Sequence, residues 1–186
     1  MRNVITGGAG FIGSRRTRQT LLGVAVDDGA DLAVRTDMAW ADTLGGLCIA
    51  NAGVTLPHGI GMAMSGLYPH VAHGEALACV YPAILRYSWD AAPARFAALA
   101  RILDPALQRL DDQKAAGRAG DAIEAFLERI GLRICLRDLR IPEGELAALA
   151  RASLVLPDYK NHPRVAAVDD VHALLKLSCE TGTGGR

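Results

Sequence analysis

Aromatic side chains are scarce in this sequence, at 5% of residues, and a surplus of charge of either sign is missing altogether. Lys plus Arg and Asp plus Glu each total 20, so the formal net charge is zero. A chain without excess positive charge exerts no long-range pull on polyanions, which excludes nucleic acid and anionic membranes as electrostatically driven partners. Only four cysteines occur, Cys48, Cys79, Cys135 and Cys179. Their wide spacing and apolar, helix-like surroundings suit neither a zinc clamp nor a disulfide framework, and they read as reduced thiols. A cytoplasmic location is the matching expectation. No window approaches the roughly 20 apolar residues of a membrane span, and Met1 to Gly8 reaches glycine too early for the apolar stretch of a signal peptide.

What the sequence does hold is apolar helix pattern. Hydrophobic residues make up 51% of the 186, enough for one core. Beyond Arg15 they recur at three- and four-residue spacing, and strand-like alternation is almost absent. One face through Leu32, Thr36, Trp40, Leu44 and Leu47 predicts a helix from near Asp31 to Asn51-Ala52-Gly53. Pro57 suits a first helical turn leading into His58; Gly66 and Pro69 break the next segment, with helix resuming near Glu75. Further helices are expected over 92–103, 105–114, 121–130, 142–154 and 168–177. Ile123, Phe126, Leu127 and Ile130 form the clearest stripe, closed by Gly131. The fold class that follows is all-α, a bundle of about seven to nine helices, with 1–15 as an appendage, 16–178 as the helical domain and 179–186 as a polar tail.

Thr6-Gly7-Gly8-Ala9-Gly10-Phe11-Ile12-Gly13 resembles the opening turn of the NAD-dependent epimerase and extended short-chain dehydrogenase family. By that resemblance Gly7, Gly10 and Gly13 would let a dinucleotide pyrophosphate meet a helix N-terminus. The motif needs a parallel sheet and an acidic residue closing a second strand; Asp27 and Asp28 stand at about the right distance but follow no strand pattern. No tyrosine has a lysine four residues on, so the catalytic pair of that family is missing.

Three of the five histidines lie in the Gly-rich stretch His58-Gly59-Ile60-Gly61-Met62 through His70 and His73-Gly74-Glu75. Imidazole is the commonest neutral metal ligand and glycine admits close backbone approach, so the stretch is a candidate wall of a metal site. From about residue 18 to 178 the landmarks Asp31 to Asp42, Gly46 to Gly53, Leu56-Pro57-His58-Gly59, His73-Gly74-Glu75 and Asn161-His162-Pro163-Arg164 run in order. Together they resemble the C-terminal helical domain of the iron-containing alcohol dehydrogenases. That family binds Fe²⁺, sometimes Zn²⁺, through an aspartate and three histidines, and its last two histidines fall on His58 and His73. The resemblance implies a metal-dependent, NAD(P)-linked oxidation of a small alcohol to an aldehyde or ketone. It also implies that the family's Asp/His pair and cofactor domain would fall before Met1, as in a truncated chain. His70 or Glu75 could supply a further donor, although His70 reads better as a loop residue. Met62 stands where several family members carry another histidine. Met62 and Met64 otherwise read as core filling, His162 as a turn residue, His172 as solvent-facing, and Arg133, Arg137 and Arg140 as a solvated basic face. The rival to an enzyme half is a non-catalytic helical module that forms homo-oligomers through an exposed apolar face.

Overall fold

The computed structural model describes residues 21–180. Among them are nine α-helices and no strand: α1 (Leu21–Asp27), α2 (Leu32–Ala52), α3 (Leu56–Leu67), α4 (His73–Ser88), α5 (Pro93–Leu103), α6 (Asp112–Gly117), α7 (Ala119–Arg129), α8 (Leu146–Ala152) and α9 (Val168–Glu180). The all-α expectation is met. Asp31 caps α2 by accepting from the amides of Ala33 and Val34, and Gly53 ends it with φ 70°, the left-handed backbone that glycine adopts without a steric penalty.

Elsewhere the helix boundaries depart from expectation for local reasons. The helix expected over 105–114 is two elements, a 3₁₀ turn at Pro105–Arg109 and then α6. Asp104 caps the first by accepting from Ala106 N, Asp111 caps the second by accepting from Lys114 N, and Leu110 between them is extended. Two capping aspartates seven residues apart restart the chain, and capping competes with a continuous helix. The segment expected over 142–154 likewise opens as a 3₁₀ turn, Glu143–Glu145, before α8. Helix resumes after the bend at His73 rather than near Glu75, and α9 runs on through Cys179 to Glu180. Asp27 ends helix α1, so it closes no strand. Gly7, Gly10 and Gly13 lie outside the described residues.

Helix α4 is the shared wall of two apolar clusters. Ala76, Cys79, Val80, Ala83 and Ile84 join Leu56, Ile60 and Met64 of α3, Leu146 and Leu149 of α8, and Val171, Leu174 and Leu175 of α9. Ala78 and Leu85 turn the other way, toward Phe96 of α5, Ala115 of α6, and Ile123, Phe126 and Leu127 of α7. Leu56, Ile60 and Met64 are each fully buried and recur every fourth residue, so one stripe of α3 is committed to the core. Its glycines serve closer contacts. A Cβ on Gly59 would stand 2.8 Å from the Ser153 carbonyl oxygen, where backbone rather than a movable side chain must give.

Gly59→Ala is therefore expected to lower stability by about 1–3 kcal/mol in urea unfolding, overpacking outweighing the better helix propensity of alanine. Gly45 of α2 has open space around its missing Cβ, and Gly45→Ala is expected to raise stability by about 0.5–1 kcal/mol in the same assay.

Candidate metal centre

His58 lies in the first turn of α3, directly after Pro57, and His73 opens α4. The bend between these helices is pinned at several points. The Tyr68 hydroxyl donates to Glu145 Oε2 at 2.6 Å, His70 Nε2 meets the Leu139 carbonyl at 2.9 Å, Val71 is buried, and the Ala72 amide donates to Glu75 Oε2 at 3.1 Å. The break read from Gly66 and Pro69 is thus a fixed bend that turns two helix ends toward one another.

The result is a pair of facing imidazoles. His58 Nδ1 and His73 Nε2 lie 3.2 Å apart, with ring centroids at 5.2 Å and planes inclined by 47°. Zn–N bonds are about 2.0–2.1 Å long, so two nitrogens on one ion stand about 2.8–3.4 Å apart for bond angles of roughly 90–109°. The observed gap lies inside that range. Gly61 makes it possible, because a Cβ there would lie 2.9 Å from His73 Cε1 and 3.1 Å from its Nδ1.

The His58 pKa is lowered, first by burial, then by the neighbouring His73, while Asp158 acts in the opposite sense. Favouring neutral imidazole lessens proton competition for the lone pair a cation needs. The third donors weighed from sequence are engaged elsewhere: His70 at the Leu139 carbonyl and Glu75 at the Ala72 amide. Among the described residues no group of three His, Cys, Asp or Glu side chains could hold a metal ion. A separate cleft lined by Leu107, Arg118, Asp121 and Phe126 lies on the α5–α7 side and contains neither histidine.

Met64 fills the core and Met62 is half-buried, as is His172, which is less solvent-facing than its pattern suggested. Arg133 departs from a solvated face: its side chain is 11% exposed and paired with Glu124, which also binds Arg86, whereas Arg137 and Arg140 are exposed. Burial alone would raise the Glu124 pKa, but the two guanidinium bonds overcome it and leave it lowered. His162 ends the 3₁₀ turn Pro157–Asn161 yet is only 7% exposed, with Nε2 2.7 Å from Ser88 Oγ and Nδ1 without a partner among the described residues. Sequence reasoning missed this buried pair, since nothing links Ser88 to His162 until α4 and the turn are packed together.

The class of protein follows from comparison with known families. Residues 19–179 match the C-terminal domain of the Fe-containing alcohol dehydrogenase family, and the chain belongs to that family. It is similar to 1,3-propanediol dehydrogenase of Klebsiella pneumoniae, 30% identical over 152 residues, covering 82% of this chain and 39% of that protein. It is also similar to NAD-dependent methanol dehydrogenase of Bacillus methanolicus, 28% identical over 152 residues, covering 82% of this chain and 40% of that protein. A solved 1,3-propanediol oxidoreductase shares the fold at a TM-score of 0.80 and 26% identity, covering 95% of this chain and 50% of the other. The chain thus spans about 40% of the length of these curated relatives. Among the described residues no single helix is long and apolar enough to cross a membrane.

Burial pushes the His162 pKa down from 6.5 to about 4. Below about pH 6.5 the unfolded chain binds a proton there that the folded chain refuses, so stability is full near neutrality and falls as pH drops toward 4. The lowered His58 acts in the same sense. Urea unfolding is expected to show a loss of up to about 3 kcal/mol across that window, with a flatter profile in His162→Asn.

Proposed function

We propose that His58 and His73 hold one divalent cation, Fe²⁺ or Zn²⁺, and that the chain forms the metal-binding part of an NAD(P)-linked alcohol oxidoreductase. The observation that carries this reading is the 3.2 Å separation of the two ring nitrogens, which fits the bite of a single ion. Imidazole suits either metal, so the donor set does not choose between them. Bound there, the cation would act as a Lewis acid on the oxygen of a small alcohol or aldehyde, favouring its alkoxide form during hydride exchange with a nicotinamide. The chain's own part is to supply two imidazole nitrogen donors and to fix their aim. The substrate class and nicotinamide come from family membership and from the relatives' names. The four cysteines, all free thiols, support a reducing, cytoplasmic setting.

Two protein ligands leave most of a cation's coordination open, and catalytic sites normally use three. A second reading, a helical module that does no chemistry by itself, draws support from the engagement of His70 and Glu75 elsewhere. Calorimetric titration with Zn²⁺, and anaerobically with Fe²⁺, tests the metal. One ion per chain is expected, weakened at least tenfold by His58→Ala or His73→Ala, and several-fold by Gly61→Ala with helicity retained. Affinity indifferent to both histidine substitutions would rule the site out. Metal-loaded chain that binds one ion yet oxidises no alcohol with NAD⁺ or NADP⁺ would favour the module.

A further inference from the structure

Three of the four cysteines gather around one side of α9. Val171, Leu175 and Cys179 recur every fourth residue, so Cys179 prolongs the stripe that packs α9 against α4. Cys79 stands on α4 in the same apolar cluster. Cys135 belongs to the segment between α7 and α8, and it and Cys179 both lie close enough to Cys79 to act on its ionisation. These side chains are not placed to hold a metal ion, which leaves the chemistry of sulfur with sulfur.

Backbone geometry singles out Cys135 and Cys179. The Leu136 amide donates to the Ser178 carbonyl at 3.1 Å. In a planar trans peptide the amide hydrogen lies on the side of the preceding Cα, and the carbonyl oxygen on the side of the following one. This bond therefore draws the Cα atoms of Cys135 and Cys179 together. Antiparallel strands with the same relation hold paired Cα atoms about 4.5 Å apart, and a disulfide spans about 4.4–6.8 Å. Cys135 is also fixed from its own side: its amide donates to Asp138 Oδ2 at 2.9 Å and its carbonyl accepts from the Leu139 amide at 3.2 Å.

Exposure sets the order of events. Cys79 is 2% exposed and Cys135 4%, whereas Cys179 is half-buried, so a dissolved oxidant meets Cys179 first. Burial pushes the Cys79 pKa up, Cys135 and Cys179 add to the rise, and Arg133 opposes it. A thiol kept protonated is a poor nucleophile, which leaves Cys79 out of the exchange.

We propose that Cys135 and Cys179 are a redox-sensitive pair that closes to a disulfide in the presence of a small-molecule disulfide such as oxidised glutathione. The Cys179 thiolate attacks one sulfur of the oxidant, whose S–S bond breaks and releases one half as a thiolate. The Cys135 thiolate then attacks Cys179 Sγ, the protein S–S bond forms, and the second half leaves as a thiolate. The two cysteine protons end on the two released thiols, so two cysteines are oxidised and one disulfide is reduced. The bond ties the last turn of α9 to the segment that follows α7.

Equilibrating the full chain with oxidised and reduced glutathione, with a chelator present, tests the pair. The expected product has lost two hydrogens by mass, shows a tryptic link between 134–137 and 177–186, and reverts with dithiothreitol. Closure should be favoured at least about tenfold more in the folded chain than in urea, because the fold holds the two sulfurs at high effective concentration. Cys135→Ser and Cys179→Ser should each abolish the link, while Cys48→Ser and Cys79→Ala should retain it. Glutathione left on Cys179 without a link, or closure no more favourable in the folded chain than in urea, would overturn the proposal. A link made through Cys79 would overturn the pairing.

Discussion

Helix α3 is held at three of its flanks at once. Leu56, Ile60 and Met64 lock one stripe into the core, while Gly59 and Gly61, two positions apart, project to nearly opposite sides of the helix. One lies against the Ser153 carbonyl and the other against the His73 ring. A side chain at either glycine would lever α3 away from a neighbour, and with it the imidazole of His58. The interleaving of α3 between α4 and the end of α8 therefore sets the geometry of the histidine pair. The aim of the two imidazoles depends on that close fit, because the His73 ring lies against Gly61 and the two rings against each other.

The parts of the fold that were legible in the sequence are those governed by local periodicity. Asp31 and Gly53 announced both ends of α2, and the stripe through Ile123, Phe126 and Leu127 announced the buried side of α7. What escaped was settled by competition or by distance. Asp104 and Asp111 each offered a cap inside a segment whose apolar spacing alone favours one helix. Arg133 looked like one of three surface arginines until Glu124, nine positions earlier, took it into a partly buried pair. His162 reached burial through Ser88, 74 positions away, and no spacing rule spans such an interval. The histidine pair was readable as residue types and as a family pattern, and its pinning was not: the contacts of Tyr68 with Glu145 and of His70 with Leu139 join segments about 70–80 residues apart.

Electroneutrality of the chain resolves into specific pairs rather than a featureless surface. Arg118, Asp121, Arg86, Glu124 and Arg133 form a continuous alternation of sign that ties α4 to α7 and to the segment that follows it. Its exposed members contribute little each, while the half-buried Glu124, bonded from two sides, is the member least free to lose a partner. Alongside it, Gly120 of α7 approaches Pro82 and Arg86 of α4 so closely that a Cβ would lie 3.1 Å from the Pro82 oxygen. Charge and close packing act on the same helix pair.

The 3.2 Å gap between the histidines has a consequence for how a cation would arrive. A hydrogen lying between Nδ1 of His58 and Nε2 of His73 would aim each ring at the other, as a latch does. A cation in that place would need both lone pairs, so the hydrogen would have to leave the line between the rings. The contact that joins the two helix ends and the one proposed for an ion thus draw on the same two nitrogens.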